Sequence, residues 1–260
     1  MSTPIRFTDG AAYERYMGAW SQLAGRAFLS WLSPAGGGRW LDVGCGNGAF
    51  TELLIECVSP SSVDGVDPSE AQIAFARSRP AGKIATFQAG NAMALPFGDD
   101  AFDAAVMPLV IAFVPDPLKG VTEMARVVRA GGIVSAYMWD SASSGFPYHS
   151  LMTEMRAMGV AIPQPPSPHA SNTDALRALW AEAGLDAIET REIHIERTFA
   201  SFAEYWEIIR GGPSVGPPLA AMAPDALAQL EARMRNILPT KADGTITYAA
   251  AAQAVKGAAR

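Results

Sequence analysis

The sequence predicts an α/β fold built on a parallel sheet, and three observations predict it. Short apolar runs alternate with segments of helical spacing through the first half of the chain. The run Leu41-Asp42-Val43-Gly44-Cys45-Gly46-Asn47-Gly48-Ala49-Phe50 places three glycines at alternate positions directly behind an apolar strand. A second strand ends in Asp67, nineteen residues past Gly48. A glycine has no Cβ and takes positive φ freely, so such a loop lets a nucleotide-like ligand lie against the backbone, with an acidic strand end beside it.

The elements follow in order. Tyr13 to Leu32 carries apolar residues at Tyr16, Met17, Trp20, Leu23, Ala24, Ala27, Phe28 and Trp31, a helical spacing, and stops before Ser33-Pro34 and Gly36-Gly37-Gly38. This segment is expected to form an N-terminal helical lid. Strands are expected at Arg39–Val43, Ser62–Asp67 and Lys83–Gln88, with helices from Ala49 and after Pro68-Ser69 between them, a βαβαβ pattern. A strand at Phe102–Met107, a helix over about Pro117–Val128 and a strand at Ile133–Met138 continue it. Pro163, Pro165, Pro166 and Pro168 then impose a loop, followed by a helix over about Thr173–Ala183 that stops at Gly184. Leu185–Arg197 reads as a long strand, Phe199–Arg210 and Pro224–Leu238 as helices, and Thr245–Ala250 as a last strand. The Pro/Gly cluster from Gly211 to Pro218 reads as a surface connection.

At 260 residues and 49% hydrophobic content, the chain is expected to form one domain over residues 1–260. Its parts are a lid (1–35), a cofactor-binding half (36–140) and a substrate-side half with cap helices (141–260). A net charge of −6, with no run among the twenty basic residues, argues against a broad nucleic-acid footprint. Met1–Gly10 lacks an apolar signal core, and the longest apolar run, Ala104 to Val114, is interrupted by Pro108, so no membrane segment is expected and a cytoplasmic location follows. Cys45 and Cys57 would have to leave their elements to bridge and are expected as free thiols. Composition sets no oligomeric state.

In a parallel α/β sheet the ligand crevice lies outside the carboxyl ends of the strands, so Gly44–Gly48, Asp67 and the segment after Gln88 are expected to meet there. An ionised carboxylate at Asp67 can accept hydrogen bonds from both hydroxyls of a ribose. Asp42 can orient the loop or a cationic ligand group. Gly44, Gly46 and Ala49 also satisfy the relaxed GxGxxG/A fingerprint of a nicotinamide-dependent oxidoreductase. Against that alternative, Gly48 is a glycine the dinucleotide pattern does not need, and the third strand runs into Gly90-Asn91-Ala92-Met93-Ala94-Leu95-Pro96-Phe97.

The Leu41–Phe50 run, the Gly65-Val66-Asp67-Pro68-Ser69 strand end, Gly90–Phe97 with Phe102-Asp103, and Glu123-Met124-Ala125-Arg126-Val127 before Gly131-Gly132 together resemble the class I S-adenosylmethionine-dependent methyltransferases, the type 11 group in particular. The resemblance covers roughly Tyr13 to Gly257. It implies a Rossmann-like, seven-stranded, mostly parallel sheet with helices on both faces and an antiparallel last strand. It also implies S-adenosylmethionine as cofactor and S-adenosylhomocysteine as product. Residue by residue, it places Gly44, Cys45, Gly46 and Gly48 around the methionyl part, Asp67 on the ribose, Asn91 with Ala92 at the adenine, and Pro68 or Ser69 beside the ring, with Met93 a further cofactor-binding residue. Two departures stand out. Asn91 replaces the usual aspartate, keeping a carbonyl acceptor for the adenine amine but losing a charge-assisted bond. Ala130-Gly131-Gly132 replaces Pro-Gly-Gly. The likeness to quinone-biosynthetic C-methyltransferases is confined to the cofactor half and sets no quinone acceptor.

The resemblance implies direct in-line methyl transfer to a small-molecule acceptor, which needs positioning and exclusion of water and no universal catalytic residue. Tyr13, Tyr16 and Trp20 share one helix face, and Tyr16 is the candidate to reach the cofactor carboxylate. Where the acceptor starts protonated, His149 is the candidate base, since it follows the fifth strand in the region where substrate loops lie. His169 and His194 read as structural or solvated, and the three histidines have no metal-ligand spacing. Phe199, Phe202, Tyr205 and Trp206, with Met152, Met155 and Met158, suit either core packing or a pocket for an apolar or aromatic acceptor. A third alternative is a non-catalytic protein that binds the cofactor without turning over an acceptor.

Overall fold

The computed structural model describes residues 14–141, 143–212 and 214–260, and of Arg15 the backbone alone. The expected helix start at Tyr13, and that residue's place beside Tyr16 and Trp20, lie outside the described residues. A π-helical turn, Glu14–Gly18, leads into α1 (Ala19–Leu32). There follow β1 (Arg39–Val43), α2 (Ala49–Val58), β2 (Ser62–Asp67), α3 (Glu70–Ser78) and β3 (Ala85–Ala89). The next elements are β4 (Phe102–Pro108), α4 (Pro117–Val127), β5 (Val128–Trp139), α5 (His149–Ala157) and α6 (Thr173–Glu182). The last are β6 (Asp186–Phe199), α7 (Phe202–Arg210), α8 (Gly216–Ala220), α9 (Pro224–Ile237) and β7 (Ile246–Ala258).

The seven strands form one sheet in the order β3-β2-β1-β4-β5-β7-β6. β7 runs antiparallel to both of its neighbours, and the remaining pairs are parallel. Alternation along the strands feeds two cores. Trp40, Val106, Tyr137 and Trp139 face the layer that holds Trp20 and Phe28 of α1, Leu54 of α2 and Ile73 of α3. Leu41, Val43, Met107, Val134 and Met138 face Val121 and Met124 of α4 and Trp180 of α6. A sheet covered on both faces explains why its inner strands read as nearly continuous apolar runs.

Several boundaries differ from the sequence expectation. β7 continues to Ala258, eight residues past the expected end at Ala250, because Ala249–Ala252 and Ala254 have weak strand propensity of their own and are held extended by ladders on both sides. Phe199 closes β6 instead of opening a helix. Ser201 sits in extended backbone and its Oγ accepts from Glu204 N–H at 3.2 Å, while Glu204 Oε2 accepts from Ala200 N–H at 2.6 Å, so the cap places the helix start at Phe202. α8 begins inside the Gly211–Pro218 cluster, with Pro217 and Pro218 in its first turn, a position where the missing N–H costs nothing.

Candidate functional site

The glycine loop is clamped onto β2. Gly44 and Cys45 both donate their N–H groups to the carbonyl of Val66, at 2.7 and 3.0 Å, and Gly48 N–H closes the turn on Cys45 O at 2.9 Å. Gly44, Gly46 and Gly48 have φ of +76°, +51° and +81°. At Gly44 the absence of a Cβ also makes room for Val110, whose Cγ2 would lie 2.5 Å from one. At Gly46 a Cβ would meet nothing within 4 Å, so the backbone there is open to a ligand.

Asp67 ties the crevice together. Its Oδ2 accepts from Gly46 N–H at 3.0 Å, its Oδ1 accepts from Ser69 N–H at 2.8 Å, and its main-chain carbonyl accepts from Gly90 N–H at 3.1 Å. The loops after β1, β2 and β3 therefore meet at Asp67, the first two on its half-buried carboxylate and the third on its main-chain carbonyl, and each carboxylate oxygen still has a lone pair to offer. Burial pushes its pKa up, against the two N–H bonds that favour the ionised form. Pro68 is exposed between Asp67 and Ser69, and Ser69 caps α3 through Gln72 N–H.

Asp42 is fully buried below the loop. Its Oδ2 accepts from Thr51 Oγ1 at 2.6 Å, and its Oδ1 has no hydrogen-bond partner among the described residues. Loss of solvent raises its pKa to about 7; the Thr51 bond opposes this and the nearby Asp67 charge adds to it. Cys45 is buried and Cys57 exposed, both as free thiols; burial pushes the Cys45 thiol up, which makes it a poor nucleophile.

Beyond β3, Asn91 Oδ1 accepts from Met93 N–H at 2.9 Å and Asn91 O from Ala94 N–H at 3.0 Å, so Asn91, Ala92 and Met93 form a tight turn at the rim. The turn is stapled from α4, a function the sequence reading did not assign to the Glu123–Val127 motif. Glu123 Oε2 accepts from Leu95 N–H at 2.8 Å. Arg126 donates to Phe97 O at 2.9 Å, to Leu95 O at 3.2 Å and to Asp99 Oδ1 at 2.8 Å. The signal for this was the motif itself: an acid and an arginine three apart on one helix face, beside a loop rich in unpaired backbone groups.

Tyr16 is buried, stacks on Tyr148 with centroids 4.5 Å apart, and has its hydroxyl 3.3 Å from Ser214 Oγ. Tyr148 in turn donates to Tyr16 O at 2.7 Å. His149, the first residue of α5, has Nε2 3.2 Å from Thr153 Oγ1 one turn on. Phe199, Phe202, Tyr205 and Trp206 are all buried and pack in rings around Trp20 and Tyr148. Met155 is in the core, whereas Met158 lines an apolar hollow of about 420 Å³ with Val160, Pro218 and Met222.

Residues 41–136 match the methyltransferase domain family. Relatives include a 2-methyl-6-phytyl-1,4-hydroquinone methyltransferase of Oryza sativa subsp. japonica, 40% identical over 36% of this chain and 27% of that protein. A demethylmenaquinone methyltransferase of Roseiflexus castenholzii is 36% identical over 42% and 46%, and the O-methyltransferase cnsE of Penicillium expansum 32% identical over 62% and 57%. The chain thus spans between about a quarter and three fifths of the length of these curated relatives. Among solved structures, a phosphoethanolamine N-methyltransferase 2 of Haemonchus contortus with bound S-adenosyl-L-methionine superposes with a TM-score of 0.60 at 20% identity, covering 98% of this chain and 58% of that one. The YcgJ protein of Bacillus subtilis does so with a TM-score of 0.61 at 20% identity, covering 91% and 98%. Residues 41–136 are thus similar to the methyltransferase domain family, and the seven-stranded sheet has the fold of these solved structures. Among the described residues, no helix is long and apolar enough to cross a membrane.

Proposed function

We propose that the protein is an S-adenosylmethionine-dependent methyltransferase that acts on a small-molecule acceptor, apolar or aromatic in character, in the cytoplasm. The observation that carries this reading is the convergence of three loops on Asp67, beside a glycine loop whose Gly46 is open to a ligand. The residues present fit the cofactor: a glycine cradle, a carboxylate with lone pairs free for a diol, and a second carboxylate oxygen without a partner. When bound, S-adenosylmethionine supplies an electrophilic methyl group and leaves as S-adenosylhomocysteine. Gly44, Cys45, Gly46 and Gly48 lie against its methionyl part, Asp67 accepts from the ribose, and Asn91, Ala92 and Met93 hold the adenine with Pro68 beside it. Asp42 balances positive charge at the methionyl end.

The lid (1–35) and the substrate-side half (141–260) exclude water from the transfer. The Tyr16 hydroxyl reaches a cofactor carboxylate only by exchanging Ser214 for it. Where the acceptor starts protonated, His149 takes the proton. The sheet order separates this reading from a nicotinamide oxidoreductase, whose doubly wound sheet has order 3-2-1-4-5-6 and no antiparallel strand between its fifth and sixth. Titration calorimetry with S-adenosylmethionine, S-adenosylhomocysteine and NADH tests the assignment. Micromolar binding of the two adenosyl sulfur compounds without NADH is expected; the reverse pattern would overturn it.

A further inference from the structure

Arg197 has no role in the cofactor site and stands in an unusual environment. β6 runs parallel to β5, and Ile193 on β6 is level with Trp139, the last residue of β5, through their shared partner Ala252. Arg197 is four residues further on, so it stands about 13 Å beyond the carboxyl edge of β5, on the same side of the sheet as the glycine loop. Its guanidinium Cζ is 4.4 Å from the Phe199 ring centroid, and its ladder partner is Tyr248. Trp20 meets Phe199 at 6.3 Å, Tyr248 at 6.4 Å and Tyr148 at 6.5 Å, which closes an aromatic wall around it. Among the described residues, Nη1 of Arg197 is buried and has no hydrogen-bond acceptor.

A buried guanidinium nitrogen without an acceptor is costly, and ring faces offset only part of that cost. The tyrosine hydroxyls around it supply no anion. Burial pushes the hydroxyls of Tyr148 and Tyr205 well up, so both stay neutral, and the Tyr248 hydroxyl is engaged with Ser150 Oγ at 2.8 Å. A ligand that satisfies this arrangement needs an anionic oxygen pair to meet the fork of Arg197 and a flat apolar body to lie beside the half-buried Tyr248 ring. We propose that Arg197 binds the carboxylate of an aromatic acid, and that the acceptor of this enzyme belongs to that class. The second half of the proposal rests on the methyltransferase reading; the anion site itself does not.

The test is calorimetric titration of the full chain with 4-hydroxybenzoate and with its neutral isostere 4-hydroxybenzamide, with and without S-adenosylhomocysteine. The acid is expected to bind more tightly than the amide by about tenfold or more, the size of a hydrogen bond to a charged group. Arg197→Met should abolish that preference, Arg197→Lys should keep part of it, and S-adenosylhomocysteine affinity should not change in either. If Arg197→Met does not fold, Arg197→Gln reads the same ratio. Equal affinity for acid and amide, no binding of either, or a preference that survives loss of the guanidinium would overturn the proposal. Failure of S-adenosylhomocysteine to bind the unaltered protein would instead sink the cofactor assignment, leaving the acid-to-amide ratio measured without it.

Discussion

Replacing Asp42 by asparagine isolates what it costs to keep an ionised carboxylate under the glycine loop. In the folded protein Asp42 titrates at about 7, against 3.8 in the open chain, and the first cause is its complete removal from water. Between those two values the folded state holds a proton that the unfolded state has released. Stability is therefore fully present below about pH 4, declines as pH rises, and levels off above about pH 7, for a total loss on the order of 4 kcal/mol. Asparagine is neutral throughout and can still accept the Thr51 hydroxyl, so it escapes this decline. Urea unfolding of both proteins, without cofactor, at steps from pH 4 to pH 8 reads the effect, with equal m-values showing that the transition is unchanged. The difference in unfolding free energy should move toward the Asp42→Asn variant as pH rises, with its midpoint between the two titration values. A difference that is flat across this range, or one that moves toward the unaltered protein, would refute the claim that burial governs Asp42.

Further tests address the loops. Gly44→Ala should destabilise the fold by about 2 kcal/mol or more, since alanine must adopt positive φ and press on Val110; adding Val110→Ala should recover the steric share and leave the backbone share, as thermal melts of the three proteins will show. Asp67→Ala should weaken S-adenosylhomocysteine binding by roughly 10- to 100-fold, the loss of hydrogen bonds to a charge, and unchanged affinity in calorimetry would remove Asp67 from the site. Arg126→Met should cost about 1–3 kcal/mol and speed hydrogen exchange at Leu95 and Phe97, because their carbonyls lose the guanidinium that fastens the turn; unaltered exchange there would show that the staple is dispensable.

Much of the sheet was legible because punctuation and burial agree. β1 and β2 are short strands with buried apolar residues, bounded by glycine, serine and aspartate, and the structure starts and ends both where the sequence reading does. The crevice was legible too: three glycines with positive φ and an acid at a strand end are local signals, and topology brings them together at Asp67. What escaped depends on partners distant in sequence. The alanines of β7 carry no strand signal until β5 and β6 flank them. Arg126 reads as an ordinary helix residue until the carbonyls of Leu95 and Phe97 are set before it. The aromatic residues near Phe199 gave a correct apolar face with the wrong helix boundary, because the Ser201 cap outweighs periodicity. Arg197 lies in an alternating strand where any charged residue passes for a solvated one.

The place of β7 has a consequence for how the protein is made. β6 touches the sheet only through β7, yet it leaves the ribosome first. Until β7 emerges, β5 presents an open edge from Ile133 to Trp139, and β6 has no strand to join. The nascent protein is thus a five-stranded sheet whose β5 edge still lacks its partner, the kind of edge that recruits stray strands and chaperones. Insertion of β7 zips both ladders at once, so α7, α8 and α9, which lie between β6 and β7 in the chain, gain their footing in the same event that covers the β5 edge.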